Sequence, residues 1–219
     1  MKSIQVVAVF LMLFTIGCST MTASEHRTPR GEYDSSDYAL APLDYSQFGK
    51  PPVPVKILLL IPAEFEHFEL TSHSQSGGNL YLLGRDAEQE LRKAFGIEFA
   101  TVEIWHVRSE NRATEMLSPN DPENVQMSGY DYVAIPKFLR VKSLEGTGKY
   151  GFEIDLQVDF NAKNGSSITI TSHGETMIEM YAETSRENGA VQTLKYAVSA
   201  LLDRIEKRRG LFVSLWTGA

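Results

Sequence analysis

The chain is expected to fold as an α/β protein of the α+β two-layer sandwich type: a mixed β-sheet with helices packed mainly on one face. Three stretches predict this. Val55 to Ile61 is a nearly continuous apolar run between Pro54 and Pro62, which reads as a central strand buried on both sides. Phe152, Ile154, Leu156, Val158 and Phe160 alternate with Glu153, Asp155, Gln157 and Asp159, the period-two pattern of a strand with one face on a core and one in water. Val191, Leu194, Val198, Leu201 and Ile205 recur at helical spacing and define a terminal helix from about Ala190 to Arg208.

Before the first strand lie two segments of different character. Lys2 precedes an apolar run from Ile4 to Ile16 that only Gln5 and Thr15 interrupt. This is shorter than the roughly 20 residues a membrane-crossing helix needs, and it fits the apolar core of a secretory signal. The run ends in Thr15-Ile16-Gly17-Cys18-Ser19, which resembles the bacterial lipobox; the position usually held by leucine is Thr15. Cleavage between Gly17 and Cys18 would leave a cysteine to be acylated, with palmitate among its chains. Cys18 is the single cysteine, so no intramolecular disulfide can form. One acyl chain binds a membrane marginally, whereas the several chains of bacterial lipoproteins anchor stably. Ser19 stands where aspartate resembles an inner-membrane retention mark, which favours the outer membrane, facing the periplasm. Residues 1–17 are thus expected to be a signal peptide, and 18–54 a lipidated cysteine followed by a Pro-rich tether.

The tether is punctuated by Pro29, Gly31, Pro42, Gly49, Pro51, Pro52 and Pro54. It is either a plain spacer or, through Tyr33, Tyr38, Leu40, Leu43, Tyr45 and Phe48, a segment that packs on the domain or on a neighbouring subunit.

The α/β domain is expected over 55–210. After the first strand, residues 63–80 read as a Ser- and Gly-rich loop. Ala87, Leu91, Ala94 and Phe95 mark a helix from Arg85 to Phe95, with Gly96 as its stop. Val102, Ile104 and Trp105 mark a strand, with Trp105 in or beside the core. A helical turn is expected around Ala113 to Leu117. Tyr130 to Pro136 reads as another strand, which Lys137 to Val141 can prolong. The Phe152 to Phe160 strand pairs through the Asn164-Gly165 turn with a second arm carrying Ile168, Ile170, Met177, Ile178 and Met180, and Gly174 suggests a bulge. Lys207, Arg208 and Arg209 end the last helix where its dipole favours cations, and Gly210 is the expected C-cap. Residues 211–219 then form an apolar tail with Phe212 and Trp216, which either folds back on the sheet or meets a subunit or membrane surface.

This order resembles a group of small periplasmic lipoproteins: the curli secretion lipoprotein, the N-terminal domain of the Tol translocation protein, flagellar accessory lipoproteins, an activator of peptidoglycan synthases and a lipoprotein of exopolysaccharide export. The residues that carry the resemblance are the strand end Ile61-Pro62, the strand Tyr130-Asp131-Tyr132-Val133-Ala134-Ile135, and the strand pair with its Gly174-Glu175 step followed by the terminal helix. It spans roughly Val55 to Arg209. It departs from the pore-forming curli member in lacking a long amphipathic insertion. The resemblance implies an accessory role at an envelope apparatus and, through the ring-forming export member, self-assembly.

The chemistry-bearing residues point to no enzyme. Lys and Arg number 21 against 28 Asp and Glu, which argues against a nucleic-acid surface. His26, His67, His73, His106 and His173 show no ligand spacing along the chain. His67 and His73 share a loop with Glu64, Glu66 and Glu69, read as a wet acidic loop and not a metal site. No Gly-x-Ser-x-Gly elbow or phosphate loop occurs; Gly77-Gly78-Asn79 lacks the Gly-Lys-Ser/Thr ending. Glu153, Asp155 and Asp159 read as the solvated face of a strand. The expectation is an outer-membrane lipoprotein that acts by contact in a secretion, export, flagellar or cell-wall apparatus, as a homo-oligomer or with other envelope proteins. It needs no cofactor. Its candidate interface residues are Tyr33, Tyr38, Tyr45, Phe48, Phe212 and Trp216. The alternatives are a binding module for peptidoglycan or a small ligand, and an envelope hydrolase.

Overall fold

A computed structural model describes residues 51–74, 77–121, 129–147, 149–179 and 186–217; for 71–74, 77–80, 146, 179, 186–188 and 215–217 it describes the backbone alone. Cys18, Tyr33, Tyr38, Tyr45 and Phe48 lie outside the described residues.

The fold is a two-layer α+β arrangement built on a five-stranded mixed sheet. Strand β1 (Val53–Pro62) is followed by the short helix α1 (Ala63–Glu66), the hairpin strands β2 (Leu70–Ser74) and β3 (Gly77–Tyr81), and helix α2 (Leu83–Glu98). Then come β4 (Phe99–Val107), α3 (Glu110–Glu115), β5 (Tyr132–Gly146), β6 (Lys149–Ala162), β7 (Ser167–Glu179), α4 (Arg186–Lys207) and α5 (Arg209–Thr217). The sheet order is β4-β1-β5-β6-β7; β1 runs parallel to β4 and β5, and β5, β6 and β7 are mutually antiparallel.

From Ile57 to Pro62 strand β1 is continuously apolar because both of its faces are covered. Val53, Val55, Ile57, Leu59 and Ile61 join the core that α2, α4 and α5 close. Leu58 and Leu60 join Tyr130, Val133 and Ile135 under Ala113 and Met116, on the face that α3 covers. Asp131 sets the register between β1 and β5. Its carboxylate accepts from the Lys56 backbone N–H at 2.7 Å, and its own N–H donates to the Lys56 carbonyl at 2.9 Å, one step before Ile57 meets Tyr132. The aspartate ahead of this aromatic strand therefore caps the start of a parallel ladder.

The β6 alternation places Phe152, Ile154, Leu156, Val158, Phe160 and Ala162 on the helix-covered face. The β6–β7 turn uses Gly165 at φ 84°, a left-handed conformation that glycine adopts without a Cβ clash. The Asn164 side chain accepts from the Ser166 N–H at 3.0 Å.

Several expectations are corrected. Residues 63–80 are not a loop: they hold α1 and the β2–β3 hairpin. The hairpin pairs Leu70 with Tyr81 at its root, and both are buried, while the sequence between them is polar and glycine-rich apart from Leu80 and shows no alternation. Gly96 does not stop α2, which runs to Glu98 and passes directly into β4. Gly174 is no bulge, because the β6–β7 register passes through it unbroken. A Cβ there would sit 2.3 Å from the Thr193 carbonyl oxygen and 2.7 Å from the Ala197 nitrogen, so glycine is what lets α4 lie against β7. The irregularity falls in β5 instead, between Phe138 and Arg140. Trp105, in contrast, lies beside the core as expected: 41% exposed, it packs edge-on against buried Tyr130 on the α3 side of the sheet. Val191 is only half-buried; Ala190, Leu194, Ala197, Val198, Leu201, Leu202 and Ile205 make the buried stripe of α4.

The C-terminal end departs most from expectation. Gly210 lies within α5, not at a helix cap, and the expected tail is helical to Thr217. Phe212 is wholly buried, against Phe99, Tyr132 and Phe160 with ring centroids 5.0–5.5 Å apart. Tyr132 donates its hydroxyl to the Phe212 carbonyl at 2.8 Å; burial, then the charge of Asp131, push that hydroxyl's pKa up to about 12. Arg209 pairs at 3.0 Å with the buried carboxylate of Glu98, tying the start of α5 to the end of α2. Among the described residues no helix is long and apolar enough to cross a membrane.

Candidate functional site

Two surfaces gather polar chemistry. The first is the face of β5, β6 and β7 opposite the helices. Strand alternation forces Lys137, Arg140 and Lys142 onto it from β5, Glu153, Asp155, Gln157 and Asp159 from β6, and Thr169, Thr171, His173, Glu175 and Met177 from β7. Basic, acidic and mixed columns therefore lie side by side, as cross-strand charge pairing favours.

At its centre Arg140 reaches both Glu153 and Asp155, donating to Asp155 at 2.8 Å. His173 Nδ1 meets the other Asp155 oxygen at 2.8 Å, and its Nε2 lies 3.7 Å from Glu175. Partial burial raises the Asp155 pKa, but the hydrogen bonds from His173 and Arg140 outweigh it and hold the carboxyl below its ordinary value. The hydrogen bond to Asp155 raises the His173 pKa against the opposing effect of burial, with the Asp155 and Glu153 charges adding to the rise. Toward the turn, Asp159 accepts from Thr169 at 2.7 Å and pairs with Lys137 at 3.4 Å. Leu139, 51% exposed, and Met177, 46% exposed, put apolar surface beside these charges.

The outer edge of β7 is closed differently. Arg204 of α4 and Arg208, the residue after it ends, donate to the carbonyls of Thr171 and Thr169, so guanidinium groups occupy positions a further strand would need.

The second cluster is Glu66 of α1, Glu88 of α2 and His106 of β4. His106 Nδ1 lies 3.0 Å from Glu66 and its Nε2 3.6 Å from Glu88. Glu66 and Glu88 line a surface depression with Arg85, Gln89 and Arg92.

Sequence-predicted residues are distributed accordingly. Glu153, Asp155 and Asp159 do share the outward face of a strand, in contact with basic partners from β5 and β7. The loop set around His67 does not assemble. Glu64 accepts from the Glu110 N–H at 3.0 Å, His67 bonds its own α1 carbonyl at Ala63, and Glu66 turns to His106. The side chains of His73 and Trp216 lie outside the description, and Phe212 is spent in the chain's own core, so it is not a surface contact. Sequence reasoning missed the grouping of Glu88 and His106 with Glu66. Only the parallel register of β1 and β4 brings Ile61 beside His106 and so carries α1, which follows β1, to that end of the sheet.

No family model matches the sequence, and no curated protein matches it significantly. Solved structures do resemble the fold. A protein from Xanthomonas campestris is 13% identical, with 75% of this chain and 90% of that one covered and a TM-score of 0.49. The PelC dodecamer from Paraburkholderia phytofirmans is 12% identical, with 69% and 91% covered and a TM-score of 0.39. A lipoprotein from Neisseria meningitidis is 13% identical, with 70% and 99% covered and a TM-score of 0.33. These likenesses are distant and single out no one family. Likeness at this distance does not transfer an activity.

Proposed function

We propose that the chain is a lipid-anchored protein of the outer membrane, facing the periplasm, that works by protein–protein contact within an envelope assembly and not by catalysis. The observation that carries this reading is the Gly17-Cys18 step at the end of the apolar run Ile4 to Ile16, in a chain with a single cysteine. Acylation at Cys18 confines such a protein to a plane and raises the effective concentration at which copies or partners meet. The open face of β5, β6 and β7 suits contact: it mixes both charge signs with the exposed side chains of Leu139 and Met177. Kinship with the curli-secretion and Tol-domain group, and assembly into a homo-oligomer or a mixed complex, belong to the same reading.

Two measurements test it. Cells fed a radiolabelled fatty acid should label the wild-type protein, and Cys18→Ser should lose the label and either leave the membrane fraction or accumulate as precursor. Wild-type protein without label would end the lipid-anchor reading. Photo-crosslinking side chains placed at Leu139 or Met177 should capture a second copy or an envelope protein, and one at Lys93 on α2 should not. Absence of capture from both face positions in intact cells would remove this face as the contact surface.

A further inference from the structure

Glu66, Glu88 and His106 come from three separate elements, and each offers a ligand atom within 4.8 Å of the other two. We propose that they form a binding site for one divalent transition-metal ion of the zinc class, held by two carboxylates and an imidazole with at least one coordination position open. The donor set is of the mixed nitrogen and oxygen kind such ions take.

The geometry is close to what an ion requires. Bonds of about 2.0–2.2 Å place neighbouring ligand atoms about 3–3.5 Å apart. One ligand atom from each of the three residues lies within 4.8 Å of the other two. The imidazole meets Glu66 through Nδ1 and Glu88 through Nε2, so an ion takes only one of these nitrogens and the side chains draw together around it.

The two carboxylates are partly withdrawn from water: the Glu66 and Glu88 side chains are only 22% and 14% exposed. Arg92 approaches Glu88 at 3.3 Å from a largely exposed position, where an ion pair is weak.

Location agrees with chemistry. Strands β1 and β4 end at Pro62 and Val107, so the cluster sits at the carboxyl ends of two parallel strands, where open α/β sheets hold their ligands. The depression that Glu66 and Glu88 share with Arg85, Gln89 and Arg92 opens the two carboxylates to solvent and sets basic groups beside them. The other histidine–carboxylate group, Glu153, Asp155 and His173, is different: Arg140 already bridges its two carboxylates, so the cation's place is taken.

The test uses untagged full-length protein in detergent, titrated with Zn²⁺ by calorimetry and with Co²⁺ by visible absorption. One ion per chain is expected. His106→Ala, Glu88→Gln and Glu66→Gln should each weaken binding by at least about tenfold, while His173→Ala should leave it unchanged. Circular dichroism on the same samples confirms that each variant keeps the wild-type fold, and the three independent ligand variants keep the test open should one misfold. Absence of wild-type binding, binding that survives all three ligand changes, or binding that disappears in His173→Ala would each overturn the site.

Discussion

The two wings of the sheet handle burial in opposite ways. Around β1, parallel neighbours and helices on both sides leave no water-facing positions along Ile57 to Pro62. Across β5, β6 and β7 the antiparallel strands bury one face and leave the other to Arg140, Asp155 and His173. The first wing holds the stability of the fold; the second supplies a surface whose residues can change with little effect on folding. Antiparallel sheets permit this asymmetry, whereas parallel ones rarely do.

The largest test of that contrast is at Phe212, where α5 fills the core between β1 and β6. Phe212→Ala should cost about 3–5 kcal/mol, as other buried aromatic truncations do. Met177→Ala on the open face should stay within about 0.5 kcal/mol. Urea melts of both variants measure the difference, and equal losses would erase the distinction between the wings.

A smaller effect is expected at Gly174, where β7 and α4 touch. Gly174→Ala forces a methyl against backbone atoms of Thr193 and Ala197 and should cost about 1–3 kcal/mol by overpacking. The same change at Gly96, where an added Cβ meets nothing within 4 Å, should stabilise α2 slightly by raising helix propensity. Thermal melts of the two variants should therefore move in opposite directions.

The smallest effect is the pH response of the open face. The folded-state pKa of His173 is raised, so its pairing contributes stability in full below the unfolded value of 6.5 and loses it as pH rises through the folded value. The Asp155 pKa is lowered, so its contribution is present above 3.8 and is lost as pH falls through the folded value. The pair therefore contributes most between these limits. Asp155→Asn should bring the His173 titration back down toward 6.5 when followed by NMR. An unmoved titration would show that Asp155 is not what holds the proton.

Legibility in the sequence followed the range of the interactions. Local alternation marked β6, and helical spacing marked the α4 stripe, because each pattern is set by the period of a single element against a single core. The hairpin β2–β3 left no such mark: its root residues Leu70 and Tyr81 are buried, and the sequence between them does not alternate. Gly174 was visible as a glycine but not as a contact, because its reason is the approach of a helix that follows it in the chain. Phe212 read as part of an apolar tail and proved to be core for a similar cause: hydrophobicity announces that a residue will be covered, not by what.

The same division holds for the chemistry. Composition and periodicity by themselves determined a mixed sheet with its helices mainly on one side, because apolar residues must leave water and the backbone must pair its hydrogen bonds whichever elements meet. That Arg140 stands between Glu153 and Asp155, and that Glu66, Glu88 and His106 converge, was decided only by tertiary structure. Strand register and the packing of α2 on the sheet fix those distances, and neither leaves a trace in the spacing of residues along the chain.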